Sequence, residues 1–449
     1  MTTTSTQSPR YGFVGHPLSR LSYRLLQALF VFCFIMLFWS LFGKYFFTYV
    51  IGRHSHGRHQ YGIQDFGLMI ATFVQSFVLL RVWAYYTNRI KPSELSLDAI
   101  IKYFASGFFL SASLALFWEM LAMGIIKTFI SLLLAIFGID RVASPETDHS
   151  WVTPFGSNAL VHNMNSMSTI VNSLYGSSEM NRTDYATVFG MDHPILYSIY
   201  ILIATFIVAG FIEELCKYFG YRMVEHPDFF TSEELEEASM ILQSSQDNAM
   251  DDADDTDENS DTSRLDRAET RSRPAMINYA KQRQSVQGRG AAITLAMVSV
   301  AIGFSCCENL IYVFHYAGES VLLELGVLLE RSCFPIHAVF AAIQSIGVCQ
   351  RELEGVRSMR LGGIILPAVI LHGTFDFFII LIGFIGRLVG QDEEGGDLRI
   401  TNTTEFLAIV SCVICMTASF LYLYNESGKQ RERLAAIDFE AIVDRSSLL

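Results

Sequence analysis

The chain has 449 residues, 51% of them hydrophobic and 13% aromatic against 17% charged, and its mean hydropathy is +0.33. That balance is too apolar for a soluble enzyme of this length and points to the bilayer as solvent. Much of the net charge of -13 sits in one stretch, Asp251 to Glu258, so it says little about the rest of the chain, and no nucleic-acid partner is indicated.

Crossing about 30 Å of hydrocarbon takes around 20 mostly apolar residues in a helix. Eight segments satisfy this, near 25–43, 66–86, 103–125, 196–222, 291–316, 332–350, 361–388 and 405–424. The predicted fold class is therefore all-α, a polytopic transmembrane helix bundle of about 8 helices. In chain order we expect a cytoplasmic N-terminal tail (1–24), N-terminal transmembrane helices (25–137) and a lumenal loop (138–193). A second transmembrane core (194–388) follows, interrupted by a disordered cytoplasmic loop (223–290), and then a last helix with a cytoplasmic tail (389–449).

Lys and Arg before the first span and after the second, sixth and eighth place both termini in the cytoplasm. The sequons at Asn181 and Asn402 then fall on the opposite face, as in a glycoprotein of a eukaryotic endomembrane. The terminal Asp444-Arg-Ser-Ser-Leu-Leu449 resembles an acidic dileucine signal for a sorting adaptor, which favours endosome, lysosome or vacuole. The eight cysteines lie in or beside apolar runs and read as packing residues, Cys412 and Cys415 included. His54, His56 and His59 read as a solvated cluster. Arg81 and Glu119, inside the second and third spans, are expected to pair with each other.

Four clusters of polar residues in the spans ask for a partner or a function. Glu213 and Glu214 lie about 100° apart on a helix and so serve different roles, while Lys217 shares the face of Glu213 and can neutralise it. Glu308 has no cation within a helical turn, so it must be protonated, metal-bound or paired with another helix. His337 has Gln344 on its face two turns on. His372 and Asp376, four residues apart, suit either joint ligation of a metal or an Asp that orients the His. Together these groups imply one polar chamber serving hydrolysis, through Zn²⁺ with an open position or through a metal-free glutamate that activates water. Counting from the expected span ends puts Glu213 about 10–15 Å in depth from Glu308 and His337, a tension that the chamber must overcome.

In these residues the chain resembles the PrsW-type intramembrane proteases, relatives of the type II CAAX prenyl endopeptidases. It carries Glu213-Glu214-x-x-Lys217, Phe304-x-x-x-Glu308-Asn309, His337 and His372-x-x-x-Asp376, in the family's order, over residues 194–388. Glu308 and Asp376 depart from the prenyl-protease pattern toward PrsW. The resemblance implies an endopeptidase acting on membrane-protein substrates within the lipid bilayer. It implies catalytic roles for Glu213, Glu214, Glu308, His337, His372 and Asp376: Glu213 as general base, Glu214 or Glu308 sharing that task or binding metal, His337 and His372 as oxyanion stabilisers or, with Glu308, as metal ligands, and Asp376 orienting His372. A transporter or channel using the same carboxylates, and a catalytically silent scaffold, are the alternative readings.

Overall fold

A computed structural model describes residues 19–45, 63–90, 95–136, 193–224, 285–316, 321–390 and 398–447. The described chain is helical, and eight of its helical spans are long and apolar enough to cross a membrane. These are α1 (Arg20–Tyr45), α2 (Ile63–Ile90), α3 (Leu97–Ala105) continued by α4 (Ala112–Ile136), α5 (Pro194–Ile203) continued by α6 (Glu213–Arg222), α7 (Val286–Tyr316), α9 (Ile336–Glu352), α10 (Leu361–Gly390) and α11 (Leu398–Ser447). A shorter helix, α8 (Val321–Cys333), precedes α9. The loop 138–192, most of the segment 223–290, the His54–His59 cluster, Asn181 and the terminal Leu448-Leu449 lie outside the described residues.

The bundle is built around α7 and α9, each with 78% of its most apolar stretch buried, so these two helices are enclosed by their neighbours. Around them pack α2, α3, α6, α10 and α11. Large apolar side chains such as Phe30, Phe34, Val78, Phe117, Ile207, Ile414 and Leu421 point outward, as a surface facing lipid tails requires. All eight cysteines are free thiols, and Cys412 is buried in the contact of α11 with α9 and α10.

Glycines set the closest approaches. A Cβ on Gly107 would lie 1.9 Å from the Val300 carbonyl oxygen, and one on Gly303 would lie 2.1 Å from that of Phe104. The two backbones meet because neither residue has a side chain, the close packing that small residues permit in membrane bundles.

Two crossings are not continuous α-helix. Ser106–Ser111 joins α3 to α4 and Ala204–Ile212 joins α5 to α6, both in π-helical geometry. Such stretches are rare and concentrate at functional sites. Hydropathy cannot reveal them, because the apolar composition is unbroken. At one end of the bundle Asp438 accepts the backbone N–H groups of Val286 (2.6 Å) and Gln287 (3.1 Å), capping α7 from the far part of α11. Arg433 grips Glu354 through two nitrogens at 2.5 and 3.2 Å. Helix α11 thus extends well past the predicted end at 424 because its polar part docks on the ends of α7 and α9.

Candidate active site

Ala204–Ile212 delivers Glu213 and Glu214 to the first turn of α6, facing α10. A Cβ on Gly373 would lie 2.6 Å from the Phe206 ring, and one on Gly210 would lie 3.1 Å from the Val369 carbonyl. These two glycines bring α10 close enough for His372 to reach the glutamates.

Lys217 holds the centre. Its ammonium donates to Glu213 Oε2 (3.2 Å), Glu214 Oε1 (2.7 Å) and His337 Nδ1 (2.8 Å), which uses all three of its N–H groups. It also lies 4.5 Å from the centre of the Phe304 ring, a cation–π contact that gives the aromatic position of the Phe-x-x-x-Glu sequence a physical role. Lys217 is 1% exposed, so these partners replace its hydration.

The two glutamates separate as their angular spacing predicts. Glu214 is fully buried and accepts from Lys217, from His372 Nδ1 (2.9 Å) and from Gln344 Nε2 (2.6 Å). Because a carboxylate accepts, His372 Nδ1 carries the proton. The other ring nitrogen, Nε2, faces Asp376 Oδ2 at 3.4 Å and Glu213 Oε2 at 3.9 Å. Glu214, rather than Asp376, is thus the tighter partner of His372, and Asp376 approaches the ring without an aligned hydrogen bond.

Glu308 takes the third of its expected options, a partner from another helix. Arg331, in the last turn of α8, reaches Glu308 Oε2 at 2.7 Å and donates to Asn309 Oδ1 through Nε. His337 Nε2 stands 2.9 Å from the same Glu308 oxygen. Both groups approach off the line of a hydrogen bond, so Glu308 Oε2 and His337 Nε2 stay buried without an aligned partner.

The expected depth mismatch is absent, since Glu213 Oε2 is 3.7 Å from His337 Nδ1. Two features remove it. The sixth crossing is broken at Phe334-Pro335, with α8 packed on α7 and α2 before it, so His337 stands in the first turn of α9 with α8 leading into it. The Lys217 stem then spans what distance remains.

Glu213, Glu308, Arg331, His337, His372 and Asp376 line one cavity of about 170 Å³. Glu214 does not line it. Glu119, expected to pair with Arg81, lines this cavity instead, while Arg81 lines a separate, apolar one between α1, α2 and α3. Arg81 stands level with Leu97, Ile100 and Ile101, roughly 28 Å along the third crossing from Glu119 at 1.5 Å per residue, too far for a pair. Neither Arg331 nor Glu119 was expected at the site. The unpaired charge of Glu308 was the signal for the first, and the depth of Glu119 within its span was the signal for the second.

Carboxylate and imidazole atoms of Glu213, His337 and His372 all lie within 4.8 Å of one another, a possible metal site in which Glu213 stands where Glu308 was expected. A zinc centre needs three lone pairs. His372 Nε2 and Glu213 have one to offer. His337 does not, because Nδ1 spends its lone pair on Lys217 and Nε2 then holds the ring proton. A dication would also sit beside the Lys217 ammonium. As arranged, the donor set does not fit a three-ligand zinc.

Residues 274–391 match the family described as PrsW family intramembrane metalloprotease. Over 111 residues the chain is 29% identical to Protease PrsW of Clostridioides difficile (strain 630), covering 24% of this chain and 44% of that protein. The chain thus spans less than half the length of the curated relative it matches. No solved structure matches. The matched region contains Phe304, Glu308, His337, His372 and Asp376, while Glu213, Glu214 and Lys217 precede it and meet it only in space.

Proposed function

From the PrsW-type character of residues 274–391 we propose that this multi-pass membrane protein is an endopeptidase that hydrolyses peptide bonds of membrane-protein substrates inside the bilayer. The observation that carries the reading is the Lys217 ammonium, held 2.7–3.2 Å from Glu213, Glu214 and His337, behind the cavity that Glu213 and His337 line. It joins the glutamate helix to the matched region in one constellation.

Glu213 is the general base. Lys217 fixes its Oε2, and its carboxylate faces the cavity, where it takes a proton from water as the water oxygen attacks the scissile carbonyl carbon. The C–N bond then breaks, the leaving nitrogen takes that proton, and the second water proton stays on the acyl oxygen, so a carboxylic acid and an amine result. His372, anchored through Nδ1 by Glu214, turns Nε2 toward the reacting carbonyl and supplies a proton donor to its oxyanion. Asp376 supports the protonated ring. Glu214, Gln344 and Lys217 are positioning residues, and Glu308 with Arg331 holds His337 in place.

This is a glutamate-type mechanism, favoured by the shortage of a third lone pair for zinc. A eukaryotic endomembrane location, glycosylation and a tail-binding adaptor remain part of the proposal, on the sequence signals alone. No observation favours the transporter or scaffold reading over it. The test is cleavage of a peptide library by the purified protein in lipid nanodiscs, read by mass spectrometry. We expect Glu213→Gln and His372→Ala to abolish cleavage while eluting like wild type; equal cleavage by all three proteins would overturn the reading.

A further inference from the structure

Among the groups lining the cavity, Glu119 is set apart. It comes from α4, outside the matched residues, and is only 8% exposed, yet it makes no hydrogen bond or ion pair among the described residues. A buried carboxylate without a partner is costly, and within membrane spans such groups mark the path of a ligand.

Its surroundings say what ligand. Four carboxylates line the cavity, Glu119, Glu213, Glu308 and Asp376, against one permanent cation, Arg331; a second cation, Lys217, lies behind Glu213, paired also with Glu214. Both cations are spent: Lys217 on Glu213, Glu214 and His337, and Arg331 on Glu308 and Asn309. None is left for Glu119.

The residues Ala112, Ala115, Leu116, Glu119 and Met123 recur at helical spacing along one stripe of α4 and line the cavity together. Two alanines leave room for a bound chain, and the carboxylate stands among apolar neighbours. A cation with an apolar stem suits such a wall, since Lys and Arg lay their methylenes along apolar surface while the charged head finds its partner.

We propose that Glu119 is a specificity-determining residue that binds the basic side chain, Lys or Arg, of a substrate segment lying in the cavity. The proposal rests on the reading of this cavity as a peptide site, and the test keeps the two apart. Equilibrium binding of three fluorescent, otherwise apolar nonapeptides, with Lys, norleucine or Glu at the centre, is measured with the Glu213→Gln protein in nanodiscs, where no cleavage intervenes. The Lys peptide should bind about tenfold tighter than its norleucine counterpart, and the Glu peptide weakest. In Glu213→Gln/Glu119→Gln the Lys preference should vanish. No preference in the parent, or one unchanged by Glu119→Gln, would overturn the proposal. The Lys-over-Glu order in the parent needs no Glu119 variant, so misfolding of that variant cannot hide failure. Cleavage of the same peptides by the wild-type protein is scored separately: a Lys preference without cleavage would remove the protease reading and leave the cation site standing.

Discussion

Lys217 Nζ lies 2.8 Å from His337 Nδ1, and this one contact decides what His337 can do. An ammonium has only donors, so the imidazole must accept at Nδ1 and carry its proton on Nε2, toward Glu308. The same nitrogen cannot serve Lys217 and a metal together.

Replacing Lys217 should therefore disable the site. Lys217→Met keeps the apolar stem and removes the three donors, leaving Glu213 Oε2, Glu214 Oε1 and His337 Nδ1 without them. We expect a loss of peptide cleavage of about 10²-fold or more, and Lys217→Arg should not restore it, because a planar fork cannot meet three converging acceptors. Steady-state cleavage rates of the purified variants check this.

Metal removal should do little. Purified wild-type protein is expected to contain less than stoichiometric zinc and to keep its cleavage rate after dialysis against a chelator. Stoichiometric zinc lost together with activity, and lost also in His372→Ala, would establish the Glu213, His337, His372 trio as a metal centre with Lys217 displaced.

The Arg331 to Glu308 pair should be a strong structural link. Both side chains are at least 85% buried, and Arg331→Met leaves Glu308 as a buried charge, a change that typically costs about 3–5 kcal/mol. The combined Arg331→Met/Glu308→Gln variant should recover much of that loss, because the stranded charge is removed with its partner. Denaturation midpoints in mild detergent, arranged as a double-mutant cycle, give the coupling.

Glycine substitutions should sort by the space around them. Gly303→Ala forces a Cβ against the Phe104 carbonyl and is expected to destabilise by about 1–3 kcal/mol. Gly124→Ala meets nothing within 4 Å and should be neutral or mildly stabilising through its helix propensity. Thermal unfolding of the two variants side by side makes the comparison.

Much of this was legible in the sequence, and the reasons differ by residue. The eight crossings were readable because lipid demands long apolar runs whatever the packing. Glu213, Glu308, His337, His372 and Asp376 were readable because ionisable groups in such runs are rare. Their mutual distances were not, since the break at Phe334-Pro335 and the reach of Lys217 are tertiary features. Lys217 looked like a simple neutraliser of Glu213, because helical spacing shows only the contacts within its own helix and His337 is 120 residues away. The expected partnership of Arg81 and Glu119 failed because of depth: Arg81 stands level with Ile100 and Ile101, several helical turns along the crossing from Glu119.

The central claim is that Glu213 activates water to cut a peptide bond, and isotope incorporation tests it most directly. Peptides in nanodiscs are incubated with the protein in water enriched in heavy oxygen, and the new C-termini are weighed. The account predicts one heavy oxygen atom in each new carboxylate with the wild-type protein and no new termini with Glu213→Gln. New termini formed at equal rate by Glu213→Gln, or no labelled product from the wild-type protein, would contradict it.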